Sequence, residues 1–505
     1  NDSVLIGNCP INLRKLAFQY GLESEVFTFD PKKETFTIGN HSGCDVIFHD
    51  GVSKQWKMNV SRKSNDNGVA EYLLDPHGCP HRVGYNGKAL KKPETLAAEC
   101  HLFIAKQVLH CSFLGGVVRS EPFRFRDFIA RNVRYCFQDN TLALDDISFE
   151  IDYGDLVAVM GPSGCGKSTL LNIINGYNRP NVGNIEINAY DLHHDYQALK
   201  DYLGYVPQDD LLFENLTVYE NLTYNAKLRH PEMSDEEITT LVEQTLVDID
   251  LVEKRDIKAG SPTQRTLSGG QRKRVNIGLE LLADADVYFL DEPTSGLSSK
   301  DSEKIIELLQ RLTLKGKIVF VVIHQPSSKI YKMFSKILFL DKGGKTAFFG
   351  DNMAALAYFK THSVESHVSA TPVNPETAAE MVECPVCKNV EPDLLLETLE
   401  EPLRDIDGVP LSQRKYSPMY WKDKFLDFRS SVHRLTIEDS ERVALPPPRD
   451  LTIGEKWTQF TSLLKRNFVN KFRDRSNLII TFLEAPILAL AVSFILRHAA
   501  DIGVE

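Results

Sequence analysis

The stretch from Gly161 to Thr169, GPSGCGKST, constrains this chain more than any other. It follows the apolar run DLVAVM at 155–160 and leads into Leu170 and Leu171, so a glycine loop joins a buried strand to a helix. Strand-like runs such as DVYFLD and KIVFVVI alternate with helical stretches such as DSEKIIELLQRL across residues 123–360, which is the grammar of a parallel sheet covered by helices. An α/β domain is expected there. Gly161, Pro162, Ser163, Gly164, Cys165, Gly166, Lys167, Ser168 and Thr169 form its expected nucleotide-binding loop. Backbone N–H groups from Gly164 to Thr169 can wrap a β-phosphate, Lys167 can reach the β and γ oxygens, and the Ser168 hydroxyl can hold Mg²⁺.

Other segments carry chemistry that fits this loop. The run DVYFLDEPTSG is apolar until it delivers Asp291 and Glu292 at a strand's C-terminal end, where ligands sit in open parallel sheets. Asp291 suits Mg²⁺ ligation and Glu292 suits orienting or deprotonating an attacking water; neighbours on a strand face opposite sides, so each takes one role. VVIHQPSS repeats the geometry and presents His324, a neutral hydrogen-bonding group at a strand end. A second glycine turn, LSGGQ at 267–271, runs into RKRVNIGLELL and offers free N–H groups at a helix start, without a lysine inside the turn.

The loop, Gln208 in YVPQDD, LSGGQ, FLDEP and His324, in this order and spacing, resemble the nucleotide-binding domain of ATP-binding cassette (ABC) proteins over about 125–355. More narrowly, LSGGQRKRVNIGLELL, DEPTSGL and IHQPSSKIYKMFSKILFLDKGGKTAFFG resemble the G subfamily of half-transporters, the white and drug-resistance type, which places its nucleotide domain before its membrane domain. The resemblance implies a P-loop NTPase fold, ATP and Mg²⁺ as ligands, and a head-to-tail pairing with a second copy of the chain. Ser268, Gly269, Gly270 and Gln271 would then contact the γ-phosphate of a nucleotide held by Lys167 of the other copy. It makes Glu292, His324 and Lys167 the catalytic set, Ser168, Gln208 and Asp291 the metal contacts, and Phe137 the aromatic stacked on adenine, with Tyr135 the alternative. One position departs from the family: Ser298 stands where an Asp normally follows SGL, with Asp301 three residues on, which leaves cooperativity between two paired sites open.

The flanks indicate a multidomain chain. Residues 1–115 read as short strands with an Asn86-Gly87 hairpin signal, a β-sandwich pattern. TIGNHSGCDVIFHDGVSKQW and LLDPHGCPHRVGYNGKAL resemble a forkhead-associated (FHA) domain, a fold that reads phosphothreonine through its loops; Ser53, Asp75, Gly78, Asn86 and Gly87 fall on its motif. Asn40 replaces the family's Arg, and Gln55 and Trp56 stand around its His, which removes a bidentate phosphate donor. The expectation is an FHA-like domain that docks a protein partner, with phosphothreonine reading through Lys54, Arg62 or Lys63 as the other use. Residues 361–450 read as a polar linker in which Cys384 and Cys387 have metal-knuckle spacing but no second pair, so free thiols are expected rather than half of a zinc site shared between chains. Residues 451–477 read as a basic amphipathic connecting helix. Residues 478–496, with Glu484 as the only charge and Pro486 inside, read as a first transmembrane helix, approached from the cytoplasmic side by Lys465, Arg466, Lys471, Arg473 and Arg475.

A net charge of −11 argues against a nucleic-acid partner. Nine cysteines in no framework pattern, and no signal-peptide pattern, place the nucleotide and FHA-like domains in the cytoplasm; the opening Asn1 points to a trimmed start. The combined expectation is the ATP-binding and ATP-hydrolysing subunit of a homodimeric exporter in a plasma or inner membrane. One apolar span where the family uses several keeps a rival class open: a membrane-tethered ATPase doing mechanical or signalling work.

Overall fold

Alternating burial builds the N-terminal domain: Phe36 and Ile38 point inward from Thr35–Gly39, as do Tyr72 and Leu74 from Ala70–Asp75. The computed structural model describes residues 3–6, 9–12, 25–48, 55–64, 70–86, 88–104, 106–260, 266–363, 382–385, 387–405, 409–431, 447 and 451–501. These fall into two units, one of residues 1–208, 285–295 and 302–450, the other of 209–284, 296–301 and 451–505.

In the first unit, a five-stranded sheet ordered Glu94–Leu96, Ala70–Asp75, Lys57–Ser64, Thr35–Gly39, Val46–Ile47 faces a six-stranded one ordered Glu25–Thr28, Val117–Pro122, Gln107–Ser112, Glu99–Ile104, Val83–Tyr85, Lys88–Ala89. Residues from both sheets, among them Ile38, Met58, Leu74, Leu102, Leu109 and Val118, share one apolar core. The sandwich thus runs to Pro122, beyond the expected boundary at 115. The outer face of the strands Glu99–Ile104 and Gln107–Ser112 carries Glu99, His101, His110 and Ser112, with two apolar positions among them. There Phe103 and Val108 join the nucleotide domain's core beside Phe123, Phe125 and Tyr202, with the Phe123 and Tyr202 rings 5.5 Å apart. The FHA motif lies partly outside the described residues, at Ser53, Lys54 and Gly87. Asn40 is engaged internally: its Oδ1 accepts from the Trp56 backbone N–H at 2.9 Å.

The nucleotide domain begins with an antiparallel sheet of β1 (Asp127–Cys136), β2 (Leu142–Asp152), β4 (Val182–Ile187) and β5 (Tyr190–Asp191), ordered β2-β1-β4-β5. Beside it stands a six-stranded sheet of β3 (Leu156–Met160), β6 (Leu203–Val206), β7 (Val287–Asp291), β8 (Ile318–Val322), β9 (Lys336–Asp341) and β10 (Lys345–Asp351), ordered β6-β7-β8-β3-β9-β10. All its pairings are parallel except β9 with β10. Every residue of β3, β7 and β8 is buried, as the unbroken apolar runs require of strands covered on both faces. α1 (Lys167–Ile174) follows the glycine loop, and α5 (Ser299–Leu314) and α6 (Asn352–Ser363) follow β7 and β10.

The polar linker expected at 361–450 is corrected by this structure, because much of it is folded. α7 (Asp393–Glu400), the hairpin β11 (Pro402–Arg404) and β12 (Pro410–Arg414), and α8 (Pro418–Ser431) form an extension of the nucleotide domain. Trp421 is fully buried against Tyr358 and Phe359, and Phe425 packs on Phe348 of β10. The aromatic residues pay for an order that a merely polar segment would not adopt. Cys384 and Cys387 sit in a tight turn in which Cys384 N donates to Asn389 O and Lys388 has φ of 58°. Among the described residues no group of three or more His, Cys, Asp or Glu side chains could hold a metal there.

The second unit contains α2 (Val218–Arg229), α3 (Asp235–Asp248), α4 (Gly269–Leu281), α9 (Ile453–Arg473) and α10 (Arg475–Asp501). Thr452 starts α9 with a capping box closed by Glu455. Within α10, Leu478–Arg497 has a mean hydropathy of 2.3 and is, among the described residues, the one helix long and apolar enough to cross a membrane. Replacing Trp421 with Ala should destabilise the nucleotide domain by about 3–5 kcal/mol, because it empties the centre of this aromatic cluster. Denaturant unfolding of the full chain measures it, and a loss within experimental error would mean that the extension does not stabilise the domain.

Candidate functional site

The glycine loop is held open by backbone that side chains would obstruct. Gly166 has φ of 101°, and a Cβ there would lie 2.8 Å from the Ala143 carbonyl oxygen; at Gly161, φ of 145°, it would lie 2.2 Å from the Leu340 oxygen. The loop therefore rests on β2 and β9. Lys167 opens α1 and is buried; its Nζ donates to the Gly161 and Pro162 carbonyls, each at 2.9 Å. Burial pushes the Cys165 thiol up to about 11, so it is a packing group at neutral pH.

β7 ends on the two carboxylates. Ser168 Oγ donates to Asp291 Oδ1 at 3.3 Å, and burial raises the Asp291 carboxyl above its ordinary range while that bond and Lys167 partly offset it. Glu292 has φ of 45°, a left-handed conformation costly for a non-glycine residue and found where function fixes it. Its carboxylate is bracketed, with Oε1 2.8 Å from His324 Nε2 and Oε2 accepting from Gln208 Nε2 at 3.1 Å. β6, β7 and β8 thus deliver Gln208, Glu292 and His324 to one point.

A cavity of about 360 Å³ lies along the loop, lined by Ser163, Gly164, Gly166, Lys167, Ser168, Thr169, Glu292 and His324. Its other wall is Phe137, Thr141, Leu142, Ala143 and Gly343. Phe137 stands 44% exposed on that wall, whereas Tyr135 is half-buried and supports it edge-on at 5.4 Å between ring centroids. Of the two aromatic candidates, Phe137 is the one that lines the cavity. Residues 141–143 and Gly343 were not foreseen; the Gly343-Gly344 pair was the one local signal for a turn there.

The second glycine turn belongs to the second unit. Ser268 caps α4, accepting from Gln271 N at 3.2 Å, while Gln271 Oε1 accepts from Ser268 N at 2.9 Å. Gly270 is confined by Asp301, whose Cβ would lie 2.6 Å from a Cβ on the glycine. Asp301 is bound to Ser298 in both directions: Ser298 Oγ donates to Asp301 Oδ2 at 2.9 Å and accepts from Asp301 N at 3.2 Å. The carboxylate absent from position 298 thus lies one helical turn along, against the glycine turn itself. In the same unit α9 packs on α2, where Arg473 bonds Glu220 through both nitrogens, at 2.5 and 2.8 Å, and Arg466 covers the Phe213 ring.

A glycine loop on a parallel sheet, two carboxylates at the next strand end, and a histidine and glutamine closing on one of them are the parts of a P-loop nucleotide site. Residues 144–295 match the ABC transporter family. The relatives it matches include members of the ABC transporter G family and a white-brown complex homologue. ABC transporter G family member 26 of Arabidopsis thaliana is 33% identical over 325 residues, covering 64% of this chain and 46% of the relative. G family member 12 of Dictyostelium discoideum is 40% identical over 227 residues, covering 43% and 34%. The ABC-type transporter claG of Penicillium crustosum is 38% identical over 232 residues, covering 46% and 31%. The chain spans less than half the length of each of these relatives.

Gly166→Ala should weaken ATP binding about tenfold or more, since strain on the order of 1–3 kcal/mol must be relieved by moving the loop. Titration with a fluorescent ATP analogue reads this, and unchanged affinity would mean that the loop does not depend on its left-handed glycines.

Proposed function

We propose that this chain binds and hydrolyses Mg·ATP in the cavity beside Lys167, and that two copies meet head to tail so that Ser268, Gly269, Gly270 and Gln271 of each complete the site of the other. The bracketing of Glu292 by Gln208 and His324 is the observation that carries the reading. A carboxylate held from two sides in a left-handed conformation is set to accept a proton from one water in one orientation. His324 keeps one oxygen aligned, and Gln208 holds the other. Lys167 exchanges its two carbonyl partners for phosphate oxygens, at little cost because the ammonium is already desolvated.

The donors fit Mg²⁺: the Ser168 hydroxyl and the Asp291 carboxylate are hard oxygen ligands brought together at the loop, with Gln208 nearby. Bound there, the ion would neutralise charge on the β and γ oxygens. Phe137 supplies the stacking face for adenine. The lysine-free turn at Ser268–Gln271 supports the paired arrangement, since it presents N–H groups at a helix start and leaves the cationic charge to the other copy.

Membrane transport, and export as its direction, follow by likeness to the G-family relatives, supported by the apolar span of α10 and the basic run of α9 before it. That reading puts α10 in a plasma or inner membrane and both N-terminal domains in the cytoplasm. The β-sandwich is proposed to be FHA-like and to dock a protein partner. Its Lys106 lies over the ring of Tyr202, just before β6 and Gln208, which supports a regulatory use, and the internal engagement of Asn40 weighs against phosphothreonine as the main ligand. Glu292→Gln should keep ATP binding, lower turnover about 10²–10⁴-fold, and accumulate an ATP-bound dimer. Phosphate release and sedimentation velocity measure the two effects, and undiminished turnover would show that another group is the base.

A further inference from the structure

The cavity wall away from the glycine loop is built from two weak pieces. One is the turn 137–143 ahead of β2; the other is the Gly343-Gly344 turn between β9 and β10, with φ of 75° and 64°. Glycines at such angles bring little rigidity of their own. We propose that the folded extension 393–431 holds this wall in register for the base and sugar of the nucleotide, with Arg414 and Lys422 as its positioning residues. The inference rests on the reading that the cavity binds ATP.

Asp145 ties the two pieces together. Its backbone N–H donates to Gly344 O at 2.9 Å, and its Oδ2 lies 2.5 Å from Lys345 Nζ. Gly344 approaches Ala143 so closely that a Cβ on it would lie 2.0 Å from the Ala143 oxygen. Lys422 of α8, its side chain 12% exposed, adds a cation from the extension, 3.5 Å from Asp145 Oδ2 and 3.3 Å from Asp146 Oδ2. Lys345 and Lys422 together hold the Asp145 carboxyl below the usual carboxylate range.

The second tether acts at the glycine turn itself. Asp341, the last residue of β9, is fully buried, and its Oδ1 accepts from Lys342 N at 2.6 Å and from Arg414 Nη1 at 2.7 Å. Arg414 Nη2 reaches Glu400 at the end of α7, also at 2.7 Å. Arg414 thus links three elements, β9, β12 and α7, at the start of the turn that carries Gly343 into the cavity. A buried carboxylate left without its cation is strongly unfavourable, so without Arg414 either Asp341 takes up a proton and loses its pull on the turn or the turn rearranges. Neither Arg414 nor Lys422 lines the cavity. They act through Asp341 and Asp145.

The test separates base from phosphate recognition. ATP and inorganic tripolyphosphate are titrated into the full chain and into Lys422→Met, Arg414→Met and Arg414→Lys, and steady-state ATPase is measured alongside. Lys422→Met and Arg414→Met should each weaken ATP about tenfold and raise KM by the same factor. Tripolyphosphate affinity should stay unchanged and kcat within about twofold, and Arg414→Lys should recover part of the loss. Equal weakening of ATP and tripolyphosphate, or no weakening of either, overturns the proposal. Lys422→Met keeps the aliphatic packing of α8, so it remains informative if Arg414→Met fails to fold. Wild-type protein that binds neither probe would instead overturn the nucleotide reading on which the proposal stands.

Discussion

The closest constraint in the structure is the seating of the glycine loop on two backbone carbonyls, Leu340 O under Gly161 and Ala143 O under Gly166. A loop whose N–H groups must face a ligand has to turn its other side onto something that tolerates no Cβ, and the edges of β2 and β9 provide it. Both carbonyls must stay within a few tenths of an ångström of their places. The buried β3-β9 pairing fixes the first, and the contact between Ala143 and Gly344 fixes the second. Much of the apolar sheet core can be read as what keeps those two oxygens still.

Charge at the site is distributed so that each ionised group has a partner before any ligand arrives. Lys167 sits on carbonyl dipoles, Asp291 receives the Ser168 hydroxyl, and Glu292 is held between Gln208 and His324. Burial works against Asp291 most strongly, and a divalent cation is the group that would reverse that penalty. The left-handed backbone at Glu292 takes its carboxylate out of regular strand alternation and to Gln208 and His324.

Local signals made the strand-end half of this candidate site legible. The glycine loop, the all-apolar runs of β3, β7 and β8, and the polar residues immediately after them each follow from a few consecutive residues, because a strand buried on both faces has to be apolar without interruption. Contacts with no local period were invisible. Lys422 reaches Asp145 across 277 positions of sequence, and nothing in either segment announces the other. The extension has the sequence of a linker because the segment 361–450 is polar, acidic in places and ends in Pro446-Pro447-Pro448; Tyr416, Tyr420, Trp421, Phe425 and Phe428 do recur at helical spacing, and that is the signal available. Phe137 and Tyr135 were indistinguishable in sequence because both are aromatic and two residues apart, and only the exit of the chain from β1 turns one toward the cavity. The apolar pair on the sandwich's outer face was hidden for a related reason. Phe103 and Val108 look like ordinary core positions until the nucleotide domain is seen to cover them.

Glu220 offers a mechanical argument about the second unit. Its Oε2 closes the capping box of α2 by accepting from Thr217 N, and the same carboxylate takes both nitrogens of Arg473, the last residue of α9. Burial opposes its charge, yet Arg473 and Thr217 together keep the carboxyl below its usual range. The pair is too exposed to add much to stability, with the Arg473 side chain 37% accessible. Its consequence is geometric. α2 packs on α4 through Leu222 against Gly278, so the helix that begins at the LSGGQ turn, the helix capped by Glu220 and the helix that ends at Arg473 form one connected path. A displacement of the glycine turn has to be absorbed somewhere along it. Buried Arg272 and Arg274 anchor α4 to Asp210 and Asp250, Gln459 bonds Leu228 O and Arg473 bonds Glu220, so the path is held as far as Arg473 and its first break lies just beyond. Asp474 breaks the helix there and the apolar α10 begins, so on the proposed reading motion at the nucleotide would emerge as a change of angle between α9 and α10 rather than as bending within either helix.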